Sequence, residues 1–271
     1  MTYQALQQLD PVRLFHDYLV VTGVARTEPE PEGDPRLIGK RLGLINGASW
    51  IALWANYFGR KFCPGAHLVM AGNEAVQMNF MTAHQQGRPT PPQANIDAFA
   101  RYAQDLVSLA NVDAILITCS TMNRAYPAVQ AAVDVPVVPI DRPMMERAID
   151  HGGKVLVIAT HGPTVASTQK LLAETAEAKG KSYSFCGVTV EEAWHRLAAG
   201  DIAGHNTLIA DAIRETLCNE PLGSVVLAQL SMTVFLFTYP DPQAEFGVPV
   251  FTSGQCGFEY MRELLAAQGT E

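Results

Sequence analysis

From Arg41 onward, short β-branched and apolar runs alternate with longer stretches of helical periodicity. This is the pattern of βαβ units built on a mainly parallel sheet. RLGLIN (41–46), HLVMA (67–71), DAILIT (113–118) and PVVP (136–139) are the first four expected strands. KVLVIA (154–159), YSFCGV (183–188), SVVLA (224–228) and VPVF (248–251) are the next four. Helical periodicity fills, among others, 96–109 and 163–179. The second set repeats the first. Asn46 is matched by Thr160 at an offset of 114, Cys119 by Ser231 at 112, and VPV at 135–137 recurs at 248–250, an offset of 113. The expected fold is therefore α/β: two pseudo-twofold-related α/β domains with mainly parallel sheets. The first half spans 41–140 and is completed by a C-terminal helix over 255–268; the second spans 141–254. Ligands of open parallel sheets bind beyond the carboxyl ends of the strands. The loops after Asn46, Thr118, Ala159 and Ala228 should thus meet in a cleft between the halves.

Residues 1–40 read as a helical arm (Leu6, Leu9, Val12, Leu14, Phe15, Leu19) and an acidic, proline-rich linker, TEPEPEGDP. An arm of this kind packs on the body or on a second subunit, so a dimer or larger homo-oligomer is expected. The 271 residues are 48% hydrophobic, enough for a real core, and 19 basic against 27 acidic residues leave a net charge of −8. That balance argues against nucleic acid as a partner. The start MTYQALQQLD lacks a basic and apolar leader, and the most apolar window, 224–239, is broken by Gln229, Ser231 and Thr233. Five cysteines, an odd count, read as reduced thiols. A cytoplasmic protein that does not enter membranes is the expectation.

The chemistry concentrates at strand ends. Thr118-Cys119-Ser120-Thr121-Met122-Asn123 follows the third strand and supplies a thiol, hydroxyls and backbone N–H groups. A helix start there would grip an anion and lower the thiol pKa. Ser231 in Gln229-Leu230-Ser231-Met232 is its expected counterpart, with a helix cap as the plainer role. Thr160-His161-Gly162-Pro163-Thr164 brings hydroxyls and an imidazole to another strand mouth, and Asn46-Gly47-Ala48-Ser49 ends the first strand. Cys186 and Cys218 are expected to pack in the core, and the tryptophans likewise. Cys63-Pro-Gly-Ala-His67 has a metal-like look but offers two ligands only, and no CxxC, HExxH, GxGxxG after a strand or GxxxxGK[ST] occurs, so neither a metal nor a nucleotide cofactor is expected.

The segments DAILITCSTMNRAYPAVQ (113–130), KVLVIATHGPTVAST (154–168), SVVLAQLSM (224–232) and VPVFTS (248–253) resemble the aspartate/glutamate racemase superfamily, which includes hydantoin racemases, maleate isomerases and arylmalonate decarboxylases. The resemblance covers about 41–268. It implies two α/β domains around one cofactor-free active site, where a cysteine from each half flanks a small carboxylate substrate. One thiolate removes the α-proton and the other thiol protonates the opposite face. Cys119 matches the first cysteine. Asn46, Ser120, Thr121, Asn123, Thr160 and Thr164 match loops that hold the carboxylates, and His161 and Met232 sit beside them.

At the second position the sequence departs, with Ser231 read as the opposite-face group. A thiol titrates near about 8.5, a serine hydroxyl several units higher, and each unit is about 1.4 kcal/mol. Ser231 therefore works only through a neighbour or water, or merely donates a hydrogen bond, or leaves Cys119 to attack covalently. The expectation is a cofactor-independent racemase or isomerase acting at the carbon α to a carboxylate of a small amino acid or dicarboxylate. Alternatives are a single-thiol decarboxylase, a maleate-type cis–trans isomerase, and a binding protein without catalysis.

Overall fold

The computed structural model of the chain describes residues 8–24 and 33–268. Eight strands form two four-stranded sheets, and every pairing is parallel. The first sheet contains β1 (Arg41–Asn46), β2 (His67–Gly72), β3 (Ala114–Ile117) and β4 (Val137–Pro139) in the order β2-β1-β3-β4. The second contains β5 (Lys154–Ala159), β6 (Ser184–Thr189), β7 (Ser224–Leu227) and β8 (Val250–Thr252) in the equivalent order β6-β5-β7-β8. The central strands are apolar and buried along almost their whole length, as strands covered on both faces must be. This is the duplicated α/β architecture that the offset of 113 implied: β1 and β5, and β4 and β8, start 113 residues apart.

In the first half, α2 (Ile51–Phe62), α3 (Glu74–Gln85), α4 (Gln93–Ala110) and the short α5 (Tyr126–Ala131) follow α1 (Pro11–Thr22). In the second half, α6 (Arg142–His151), α7 (Gly162–Ala178), α8 (Glu191–Ala198), α9 (Ile202–Asn219), α10 (Phe235–Thr238), α11 (Pro242–Phe246) and α12 (Ser253–Ala267) complete the chain. The helices after the two edge strands are exchanged. α6 follows β4, yet its Met144, Met145 and Ala148 pack with Val155 and Val157 of β5 and Val226 of β7. α12 follows β8, yet Phe258, Met261 and Leu265 pack with Leu42, Leu44 and Phe58 of the first half. Gly257 of α12 lies so close to Ile140 that an added Cβ would come within 2.7 Å of its side chain.

Leu6 lies outside the described residues. The helix of the arm starts at Pro11, capped by the Asp10 carboxylate on Val12 N and Arg13 N, and buries none of its side chains. It lies on α2, where Arg60 Nη1 donates to Val20 O at 2.9 Å. Two cysteine expectations change. Cys218 is exposed on α9 and Cys186 is half-buried, whereas Cys63 and Cys256 are the core cysteines, their thiols pushed up to about 12 by burial. No helix among the described residues is long and apolar enough to cross a membrane.

Candidate active site

The carboxyl ends of both sheets face one cavity of about 380 Å³. Its polar floor is the loop after β3. Ile117 ends the strand, Thr118 N still donates to Ile45 O at 2.9 Å, and the chain then turns into a 3-10 segment over Ser120–Ala125 with Cys119 at its N-cap. Cys119 Sγ lies 3.3 Å from Thr121 Oγ1, and the backbone N–H groups of Met122, Gly47 and Thr121 point at the sulfur. Gly47 follows β1, and a Cβ added there would crowd Val76 at 3.1 Å and stand 3.7 Å from the sulfur, so glycine lets this strand end approach the thiol closely.

These donors favour a thiolate, but burial outweighs them and the net effect pushes the Cys119 thiol up from its ordinary value. The expected lowering by a helix start is not found. The segment after Cys119 is a 3-10 turn followed by the six-residue α5, and removal from bulk water dominates a few dipoles. The resting sulfur is therefore a protonated donor unless a substrate or partner shifts it.

The second half repeats this backbone with different chemistry. Ala228 N donates to Ile158 O at 3.2 Å as Thr118 N does to Ile45 O, and a 3-10 segment over Leu230–Val234 follows, with Gln229 at its N-cap. Met232 N bonds Gln229 O at 2.9 Å just as Met122 N bonds Cys119 O at 2.9 Å. In the first half Gly47 N–H faces the sulfur; in the second, the equivalent Thr160 N–H donates to Gln229 Oε1 at 2.7 Å, and Thr160 Oγ1 adds a bond at 2.9 Å. The counterpart of Cys119 is thus Gln229, at an offset of 110, and Ser231 is the counterpart of Thr121. The pairing of Cys119 with Ser231 read from the sequence is corrected here. The connection leading to β7 is three residues shorter relative to its strand than the one leading to β3, so the global offset does not hold at this loop.

Of the residues picked out by sequence, Cys119, Ser120, Thr121, His161, Thr164 and Ser231 line the cavity together. Four do not. Met232 is fully buried in the core against α9, because the 3-10 turn points it away from the cleft. Asn46 is buried behind the wall beside Gly72, and Thr160 spends its hydroxyl on Gln229. Asn123 turns inward, its Nδ2 donating to Asp141 Oδ2 at 2.6 Å.

Asp141 is 1% exposed and sits just before α6, and burial pushes its carboxyl up to about 6 against the opposing pull of Ser120, Asn123 and Ser253. The hydroxyls of Ser120 and Ser253 approach the carboxyl without closing well-formed bonds. This cluster braces the floor from below and ties it to the start of α12.

Sequence reasoning passed over Gln229, although it lay beside Ser231, and treated the tryptophans as packing residues. Trp50, after β1, and Trp194, on α8, meet at 5.2 Å between ring centroids and both line the cavity, so aromatic rings from the two halves touch across the cleft. Trp194 also lies 5.5 Å from the His161 ring. Ile51, Val76, Phe80 and Met81 extend this apolar wall, and among the described residues no Lys or Arg lines the cavity. No group of three or more His, Cys, Asp or Glu among the described residues could hold a metal ion.

Among known proteins, the model of the family Asp/Glu/Hydantoin racemase matches residues 67–261. An aspartate racemase homologue from Pyrococcus horikoshii superposes with a TM-score of 0.62 at 21% identity, over 84% of this chain and 99% of that one. Allantoin racemase from Klebsiella pneumoniae superposes at 0.56 with 19% identity, over 85% and 89% of the two chains. A glutamate racemase isoform from Bacillus anthracis gives 0.55 at 16% identity, over 85% and 82%. At such identities these structures speak for the fold. No curated protein matches the chain. The family match spans well over half of the chain, from β2 into α12: the protein belongs to the Asp/Glu/hydantoin racemase family.

Proposed function

We propose that the protein is a cofactor-independent isomerase of the racemase type, acting at the carbon α to a carboxylate of a small acid, with Cys119 as its thiol. The observation that carries this reading is a sulfur on the floor of the cavity between the two sheets, ringed by the N–H groups of Gly47, Thr121 and Met122. Those amides and the Thr121 hydroxyl stabilise negative charge, whether on the thiolate or on the enediolate that forms as the α-proton leaves. Thr121 and Thr164 supply the hydroxyls that hold the carboxylate, and Ser231 and Gln229 form the opposite wall as hydrogen-bonding groups.

The substrate carries one anionic end and an apolar or aromatic substituent. The wall of Trp50, Ile51, Phe80 and Trp194 suits a ring or branched chain, and without a lining cation a second carboxylate would be buried unpaired. A second reading, decarboxylation of an activated diacid with one-faced protonation by Cys119, is favoured by one specific observation: the position equivalent to the thiol holds glutamine.

The test is deuterium incorporation in heavy water, with the enantiomers of phenylglycine and with phenylmalonate as substrates. An isomerase washes deuterium into the α-position of recovered amino acid, whereas a decarboxylase places it only in the product acid. Unchanged exchange or turnover in Cys119→Ala retires the assignment.

A further inference from the structure

We infer that His161 is the proton carrier of the second face, supplying from the loop after β5 the second acid–base group that two-sided chemistry needs. The inference rests on the reading of the protein as a Cys119 isomerase. Inversion at a carbon needs one group to remove a proton and another, on the opposite side, to deliver one. The first half supplies Cys119. The second half brings His161, Thr164, Glu191, Trp194, Gln229 and Ser231 to the cavity. Gln229 has no proton to exchange near neutral pH, and its carboxamide oxygen is occupied by Thr160 N and Thr160 Oγ1. Ser231 and Thr164 are alcohols, far too weakly acidic to act alone. Only the imidazole and the Glu191 carboxylate remain.

Of these two, His161 is the better placed. It lies two residues beyond β5 in the strand-end loop itself, and neither ring nitrogen is engaged by another described residue. Trp194 holds the ring plane from one side, at 5.5 Å. The first-half counterpart of His161 is Ala48, so the two halves place their acid–base groups on different loops: after β3 in the first, after β5 in the second.

The charges around His161 suit a base. Burial and the neighbouring His195 keep the imidazole below its ordinary value, while Glu191 pulls the other way. His84 and Cys119 also line the cavity. At neutral pH the resting pair is a neutral imidazole and a protonated thiol.

From that state the imidazole takes the α-proton of one enantiomer, and the C–H electron pair moves into the carboxylate as an enediolate. Cys119 S–H then delivers its proton to the opposite face, leaving an imidazolium beside Glu191 and a thiolate among its amide donors. The reverse reaction with the other enantiomer, or exchange with water, restores the starting state.

The test uses D- and L-phenylglycine in heavy water, following loss of the α-proton signal and chiral composition separately, with near-UV circular dichroism as the check on folding. The wild type exchanges and racemises both. In His161→Asn, and in His161→Gln as its second variant, racemisation falls at least about 100-fold, while exchange without inversion survives for one enantiomer. Cys119→Ala gives the mirror image, with exchange surviving only for the other. Wild-type racemisation in both His161 variants overturns the inference, as does loss of exchange with both enantiomers in a folded variant. Absence of exchange in the wild type, or exchange of both enantiomers by Cys119→Ala, sinks instead the reading on which the inference rests.

Discussion

The loops after β3 and β7 share strand register, 3-10 turn and N-cap geometry, yet one N-cap residue is Cys119 and the other Gln229. Duplication has preserved the backbone and not the chemistry. In each half an N–H after the first strand points at the N-cap side chain. In the first it meets a polarisable sulfur beside the cavity, and in the second it closes a hydrogen bond to a carboxamide oxygen. The same donor thus faces a thiol in one half and locks a carboxamide in the other.

The sharpest way to break this asymmetry is to remove its active member. Cys119→Ala is expected to cut turnover by about 10³-fold or more, whereas Gln229→Ala costs tenfold at most; comparable losses from both, measured as initial rates, would mean that the two loops contribute alike. Restoring the symmetry comes next. Gln229→Cys places a thiol under Thr160 N–H and should raise exchange from the second face about tenfold, while Ser231→Cys, one turn position away, should not. A gain confined to Ser231→Cys would show that the loops are aligned wrongly.

A third contrast lies in pH. Asp141 stands two residues beyond β4, and its counterpart beyond β8 is Gly254, so the buried carboxyl of the first half has no equivalent at this position of the second. Its value rises from 3.8 to about 6 on folding. The native chain therefore holds more protons than the unfolded chain between those limits. Stability is greatest below them and falls as pH climbs from about 4 through about 6, by about 2–3 kcal/mol. Urea midpoints of Asp141→Asn should lose that slope, becoming relatively more stable than the wild type at pH 8; parallel pH profiles for the two proteins would remove Asp141 from the account. The smallest effect concerns the cleft wall. Trp50→Ala should weaken binding of an aryl acid by about 1 kcal/mol, read by calorimetry, and leave a purely aliphatic acid nearly unaffected.

Much of the architecture was legible because β1 and β5 are buried on both faces and read as unbroken apolar runs, so their ends at Asn46 and Ala159 match the expectation. β8 begins at Val250 instead of 248 because Pro249 has no N–H to give the ladder and contributes only its carbonyl, which accepts from Val225 N. The place of Cys119 on the cavity wall was legible because a thiol followed by hydroxyls at a strand end of a parallel sheet faces the cleft. Its partner was not. A shortened connection shifts register locally without altering the apolar pattern, and only hydrogen bonds reveal which residue then occupies the cap. Met232 was misplaced for a related reason: each step around a 3-10 turn rotates the side chain by about 120°, which carries Met232 from the cleft into the core.

The crossed helices bear on how a molecule enters. With α6 clasped to the second sheet and α12 to the first, prising the halves apart would uncover both cores at once. Wide swinging of one lobe is therefore costly, and the doorway is left to side chains. Trp50 and Trp194, one from each half and tilted against each other at the cleft, are the side chains whose rotation would widen it.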